Sequence, residues 1–191
     1  MGRILILAFV AATLAGCVEG YKLVSPERTK VVNAFSVVPQ TAWNRSIQGR
    51  IENWTLDGPE LQELRFVAGL EDGDRLFPTR GFAEPAKEAP SFRDTMTPVE
   101  IAEFVAASYS QAGTHEFRTR DLRPAKFGPD DGFRFDFSFV TEGGLEWEGF
   151  AVGIVRNKRL YMAQFRAIRL HFFERDRDAV ERLVGTIRWE T

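Results

Sequence analysis

Asp131-Gly132-Phe133-Arg134-Phe135-Asp136-Phe137-Ser138-Phe139-Val140 places a phenylalanine at every second position four times in succession. Side chains alternate between the two faces of a strand, so one face of this segment is apolar and the other carries Arg134, Asp136 and Ser138. Four phenylalanines on one side require that side to be buried. Outward in both directions the pattern continues as strands separated by turns. Glu142-Gly143-Gly144 leads into a strand from Glu146 to Val155, and Asn157-Lys158 leads into one from Leu160 to Ala167. Upstream, His115 to Leu122 reads as a strand ending before Pro124. The second half of the chain is therefore expected to be an antiparallel meander.

The first half supplies shorter strands and one well-marked helix. Val31-Val32-Asn33-Ala34-Phe35-Ser36-Val37-Val38 is a β-branched run ended by Pro39. Ile47 to Leu56 is expected to pair through Asp57-Gly58 with Leu61 to Leu70, where Leu64, Phe66, Ala68 and Leu70 alternate with polar or small residues. Glu71-Asp72-Gly73-Asp74 turns the chain again. Pro78 to Met96 shows no period and reads as a long loop. Thr97 as N-cap, Pro98 at the first helical position and Glu100 two residues on form a capping box, with Ile101, Phe104, Val105, Ser108 and Tyr109 on one face and Gly113 at the end. A last helix is expected from near Asp176, with Ala179, Val180, Leu183, Val184 and Ile187 inward. Strands, loop, helix, meander and helix make an α+β fold, an antiparallel β-sheet covered by helices.

This element order, ending in an amphipathic helix and the tail Thr186-Ile187-Arg188-Trp189, resembles the PsbP-like α-β-α sandwich over residues 31–190. Many members of that family are non-catalytic binding or assembly proteins of membrane complexes, and some are lipid-anchored. No functional residue of the family is matched to a position of this chain. A cystatin-like or lipocalin-like arrangement is the alternative.

At the start of the chain, Arg3 precedes an apolar and small run from Ile4 to Ala15. That is the layout of a secretory signal peptide, and at about 12 residues it falls short of the roughly 20 a membrane-spanning helix needs. It closes on Leu14-Ala15-Gly16-Cys17, which resembles the lipobox of bacterial lipoproteins. The resemblance implies a signal peptide over residues 1–16, cleavage before Cys17, and a diacylglycerol thioether on the Cys17 thiol, making Cys17 the lipid attachment site. It further implies a cell-envelope location, lipid-anchored. Because Val18 rather than aspartate follows the cysteine, the outer membrane's periplasmic leaflet is expected if the host is Gram-negative. Two or three acyl chains at about 0.8 kcal/mol per buried methylene bind a membrane far more firmly than one. Residues 17–30 are then a lipidated N-terminus with a polar tether, Val18 to Thr29, and residues 31–191 a single α+β domain.

Composition fits a folded domain of this kind. The 25 basic and 27 acidic residues give a net charge of -2, too near neutral for a nucleic-acid partner or a polybasic membrane patch. Cys17 is the only cysteine, so no disulfide supports the fold. Seventeen phenylalanines supply the core instead.

Motifs for catalysis are missing: no Gly-x-Ser-x-Gly, no P-loop, no Gly-x-Gly-x-x-Gly and no His-Glu-x-x-His. His115 and His171 are read as structural or surface histidines, since neither has a partner at a spacing that names one. Glu71, Asp72 and Asp74 on one turn suit a hard cation such as Ca²⁺, but Phe77 stands where the EF-hand glycine belongs, and a solvated hairpin tip is the reading kept. Asp130-Asp131 and the Glu146/Glu148 pair are treated alike. Arg118, Arg120 and Arg134 form a candidate basic strip on adjacent strands, an anion contact weighed against a solvated face shared with Glu116 and Asp136. Asn44-Arg45-Ser46 and Asn53-Trp54-Thr55 are chance matches to the glycosylation pattern in a bacterial lipoprotein. Trp43, Trp54 and Trp147 are assigned to the core or sheet surface. No catalytic, cofactor-binding or metal-binding residue is assigned.

Three functions are consistent with this reading. The first is a non-catalytic binding or assembly module, held to the membrane through its lipid anchor and contacting another envelope protein. The second is a binder of a small hydrophobic or lipid-like ligand, with a cavity of about 300 Å³ or more beneath the loop at 78–96. The third is a hydrolase in which His115 or His171 meets a carboxylate or hydroxyl.

Overall fold

A computed structural model describes residues 20–77 and 89–190. Eleven strands are present among them: β1 (Lys22–Val24), β2 (Thr29–Val31), β3 (Phe35–Val37), β4 (Trp43–Gln48), β5 (Ile51–Thr55), β6 (Gln62–Leu70), β7 (His115–Phe127), β8 (Asp130–Val140), β9 (Glu146–Arg156), β10 (Arg159–Ile168) and β11 (Arg188–Trp189). The helices are α1 (Pro98–Gln111) and α2 (Glu174–Val184). The lipobox, Cys17 and the signal peptide lie outside the described residues, as does 78–88 of the expected loop. No described helix is long and apolar enough to cross a membrane.

Eight strands form one antiparallel sheet in the order β1-β4-β5-β6-β10-β9-β8-β7. Two meanders meet in its middle, where β6 pairs with β10. The expected α+β sandwich is present, with a separate core on each face. On one face α1 lays Ile101, Phe104, Val105 and Tyr109 against Phe133, Phe135, Phe137 and Phe139 of β8. On the other, α2 and a three-stranded sheet, β11-β3-β2, cover Trp43, Trp54, Phe66, Phe150 and Phe165. Gly149 on β9 lets the Phe137 ring lie directly on the strand, since a Cβ there would collide with that ring and with the Phe165 carbonyl. The capping box of α1 forms as expected, the Glu100 carboxylate accepting from the Thr97 backbone N–H at 2.7 Å.

Several boundaries differ from expectation, each for an identifiable reason. Part of the expected tether is strand: β1, with Val24 buried, lies within it and β2 begins in it at Thr29, and three-residue strands with one inward side chain leave too little periodicity to read. The run Val31–Val38 is not one strand but a β2–β3 hairpin, turned at Val32 and Asn33, whose φ values are 43° and 56°. Positive φ at both central residues marks a type I′ turn, and asparagine is its only sequence sign here. Ile47–Leu56 is likewise split, with β4 and β5 joined at Gly49 (φ 59°). β7 runs through Pro124, which is tolerated because β7 is an edge strand. β6 is buried at every residue rather than on one side only.

Candidate functional site

The face of β8 opposite its phenylalanines opens onto a groove. Arg134, Asp136 and Ser138 point to the side where Arg118, Arg120 and Arg123 of β7 and Glu148 of β9 stand in register. Helix α2 closes the far wall with Arg177 and Glu181, and Arg169, which follows β10, closes one end. Two adjoining pockets result, of about 290 and 420 Å³. The sequence-predicted strip of Arg118, Arg120 and Arg134 is thus assembled in one place, together with the Glu146/Glu148 pair that was considered separately.

Charges in the groove are interleaved. Arg134 is its most buried cation, lying 4.2 Å from the Phe150 ring centroid and donating to Asp136 at 3.0 Å and to Glu181 at 2.8 Å. Glu148 lies 3.3 Å from Arg120 and 3.6 Å from Arg169. Glu146 receives Arg169 at 2.8 Å, and Glu116 receives Arg118 at 2.8 Å. The Arg169 guanidinium is held further toward its charged form by the hydrogen bond and charge of Glu146 and by Glu148. Every carboxylate lining the groove therefore has an arginine partner. The cations on the rim stay open to water: the Arg118 side chain is 74% exposed. Next along the chain from the Glu146–Arg169 bridge stand Leu145 and Leu170, and Leu122 stands beside Arg123. Leu170 is 83% exposed, and the other two are about half exposed.

This arrangement can hold charged groups. Arginine stays protonated at working pH, and the hydroxyls in the groove, Thr119 and Ser138, have no histidine beside them. His115 and His171 are both exposed, and among the described residues neither is bonded to a carboxylate or hydroxyl. His171 sits at φ 79° in the irregular segment Arg169–Phe173 with its ring against Phe172.

The fold of the chain has a measurable counterpart. No protein-family sequence model matches it, and no curated sequence matches it. Cyanobacterial PsbP (CyanoP) from Synechocystis sp. PCC 6803 superposes with a TM-score of 0.57 at 7% identity, covering 93% of this chain and 99% of that one. The fold is PsbP-like. A protein of Bacteroides thetaiotaomicron VPI-5482 gives a TM-score of 0.48 at 12% identity over 91% of this chain and 50% of that one. LpqN of Mycobacterium tuberculosis, described as involved in cell envelope biogenesis, gives 0.36 at 11% identity over 97% of each chain. The PsbP-like likeness extends to the architecture and assigns no residue.

The remaining candidates are structural. Glu71 bridges Arg50 at 2.9 Å and Arg159 at 2.7 Å, Asp74 accepts from the Glu71 backbone at 2.9 Å, and Asp72 meets Arg93 at 3.3 Å. The turn thus fastens three segments, and no group of three or more metal-ligating side chains converges among the described residues. Asp130 accepts from the Trp189 indole at 2.9 Å, and Asp131 pairs with Lys126. Trp43, Trp54 and Trp147 are all buried. Asn53 accepts from Arg65 at 2.9 Å, and Asn44 is half-buried in β4.

What the sequence reading missed lies on the other face. Glu63 and Arg65 of β6, with Gln164 and Arg166 of β10, sit in the layer between the central strands and α1. Alternating polar residues on a strand read as a solvated face, and only the central position of β6 and β10 reverses that.

Proposed function

We propose that this protein is a lipid-anchored, non-catalytic binding module of the cell envelope, attached through Cys17, whose β7–β9 groove docks a charged segment of another envelope protein. The observation that carries the reading is the groove: six arginines interleaved with five carboxylates, open to water, with exposed Leu122, Leu145 and Leu170 next in the chain to Arg123, Glu146 and Arg169. Exposed ion pairs contribute about 0–1 kcal/mol each, so a partner can exchange them at small cost, while desolvating these exposed leucines adds affinity that charge alone does not give. Such an interface forms quickly and weakens with salt. The Leu-Ala-Gly-Cys tetrapeptide supports the anchor, and the PsbP-like fold is one on which binding surfaces of this type can be built.

Affinity purification from solubilised envelopes, comparing wild type with Cys17→Ser, tests both halves. Wild type is expected to incorporate labelled palmitate and retain a discrete partner, and the variant to lose the label and enrich the partner poorly. Equal labelling of the two would remove the anchor from the account.

A small-ligand reading finds less support, because both pockets are open to solvent and lined mainly by charged side chains, the larger one touching Phe139 and Trp147 as well.

A further inference from the structure

Beneath α1, one carboxylate faces two guanidinium groups. Glu63 and Arg166 are opposite each other across β6 and β10, and Arg65 is opposite Gln164. Arg65 Nη2 lies 3.0 Å from Glu63 Oε1, and Arg166 Nη2 donates to Glu63 Oε2 at 3.3 Å. Aromatic rings enclose the group. Arg65 lies 4.5 Å from the Phe77 ring centroid, Phe77 meets Tyr109 edge-on at 5.0 Å, and Arg166 lies 5.7 Å from the Tyr109 ring and 5.3 Å from the Trp147 ring. Gln164 is fully buried, Tyr109 is 1% exposed and Arg65 is 8% exposed.

The hydrogen-bond inventory is lopsided. Arg65 Nη1, Arg166 Nε, Tyr109 Oη, Trp147 Nε1, both ends of the Gln164 amide and Glu63 Oε1 are buried without a hydrogen-bond partner in the protein, although Glu63 Oε1 keeps its ion-pair contact with Arg65. Most of these atoms are donors, and buried donors normally have acceptors. The charge is lopsided too: two guanidiniums share Glu63, and the next carboxylate, Glu60, acts on Arg166 more weakly. Water can satisfy donors but cannot cancel a buried net charge, which is costly when unpaired. A group that does both is an anion with several acceptor oxygens, the partner that a guanidinium fork fits best. Arg166, whose side chain is 21% exposed, connects the cluster to solvent.

We propose that Arg65, Arg166, Tyr109 and Trp147 form a binding site for a small oxyanion, a carboxylate or a phosphate, between α1 and the centre of the sheet, sharing only Trp147 with the lining of the groove. Full-length protein in detergent is titrated with sodium acetate or sodium phosphate, sodium chloride holding the ionic strength constant, and its thermal midpoint is followed. A saturable rise is expected with at least one oxyanion, and the one saturating at lower concentration identifies the class. Tyr109→Phe and Trp147→Phe each remove one donor while keeping a ring, and each is expected to raise the apparent Kd about tenfold. Arg65→Met is expected to abolish saturation, and Lys126→Ala to leave it unchanged. If Arg65→Met does not fold, the two aromatic variants decide. No saturable shift in wild type with either salt, or an unchanged Kd in both aromatic variants, overturns the site and leaves the donors to water only.

Discussion

Arg134 Nη2 donates to Glu181 Oε1 at 2.8 Å, a bond that ties strand β8 to helix α2 across the inner wall of the groove. The same guanidinium packs on the Phe150 ring and bonds Asp136, so it is at once part of the core and part of the site.

Arg134→Ala should therefore destabilise the domain by about 1–3 kcal/mol, through lost charge-assisted bonds and lost packing of the stem. Urea unfolding followed by circular dichroism measures it. Arg134→Lys should recover only part, because an ammonium cannot fork between Asp136 and Glu181. A loss under about 0.5 kcal/mol for Arg134→Ala, the range of an ordinary surface substitution, would show that the tie contributes nothing.

Glu63 gives the fold a pH dependence of known sign. Burial pushes its carboxyl upward, but the charges and hydrogen bonds of Arg65 and Arg166 outweigh burial and hold it below the ordinary glutamate value. Its contribution is present above the unfolded-state value, roughly pH 4.3, and is lost as pH falls through the lower folded-state value. The stability difference between wild type and Glu63→Gln should be constant from pH 7 to about 5 and shrink below that. Thermal midpoints taken from pH 7 to 3 will show it, and curves that stay parallel throughout would contradict it.

Val32 holds φ 43°, a conformation that costs a β-branched residue roughly 1–2 kcal/mol. The turn persists because Ala34 N–H donates to the Val31 carbonyl at 2.9 Å and Val32 N–H donates to buried Glu52 at 3.2 Å. Val32→Asn keeps both bonds and suits the turn, so it should raise stability by up to about 1 kcal/mol. A lowered denaturation midpoint would mean that the packing of the valine side chain outweighs the backbone strain.

Legibility in the sequence followed burial geometry. The period of two in Phe133–Phe139 identified both faces of β8, and with them the core under α1 and the line of Arg134, Asp136 and Ser138. Arg118 and Arg120 were recognisable as neighbours because they share that period on the adjoining strand. The Thr97–Glu100 capping box located α1 to the residue. Strands β1 and β2 are too short to carry a period, and the β2–β3 turn hides inside a β-branched run. The Glu63–Arg65–Gln164–Arg166 layer was invisible for another reason: period alone cannot tell a solvated polar face from one roofed by a helix, and β6 joins β10 only through pairing 100 residues apart in the chain.

Arg169, Arg177 and Glu181 entered the groove unannounced. They come from α2 and the irregular segment before it, whose docking onto the sheet is set by Val180, Leu183 and Val184 on the opposite side of the helix. Those apolar residues were readable, and the polar residues they place were not.

The most direct test of the binding-module account is photo-crosslinking in intact membranes from a probe at Leu170, which is 83% exposed and next in the chain to Arg169 of the groove. The account predicts one discrete adduct with another envelope protein, weakened by high salt, lost in Arg118→Glu/Arg120→Glu and strongly reduced in Cys17→Ser. An absence of any adduct, or an adduct unchanged by the groove substitutions, would contradict it.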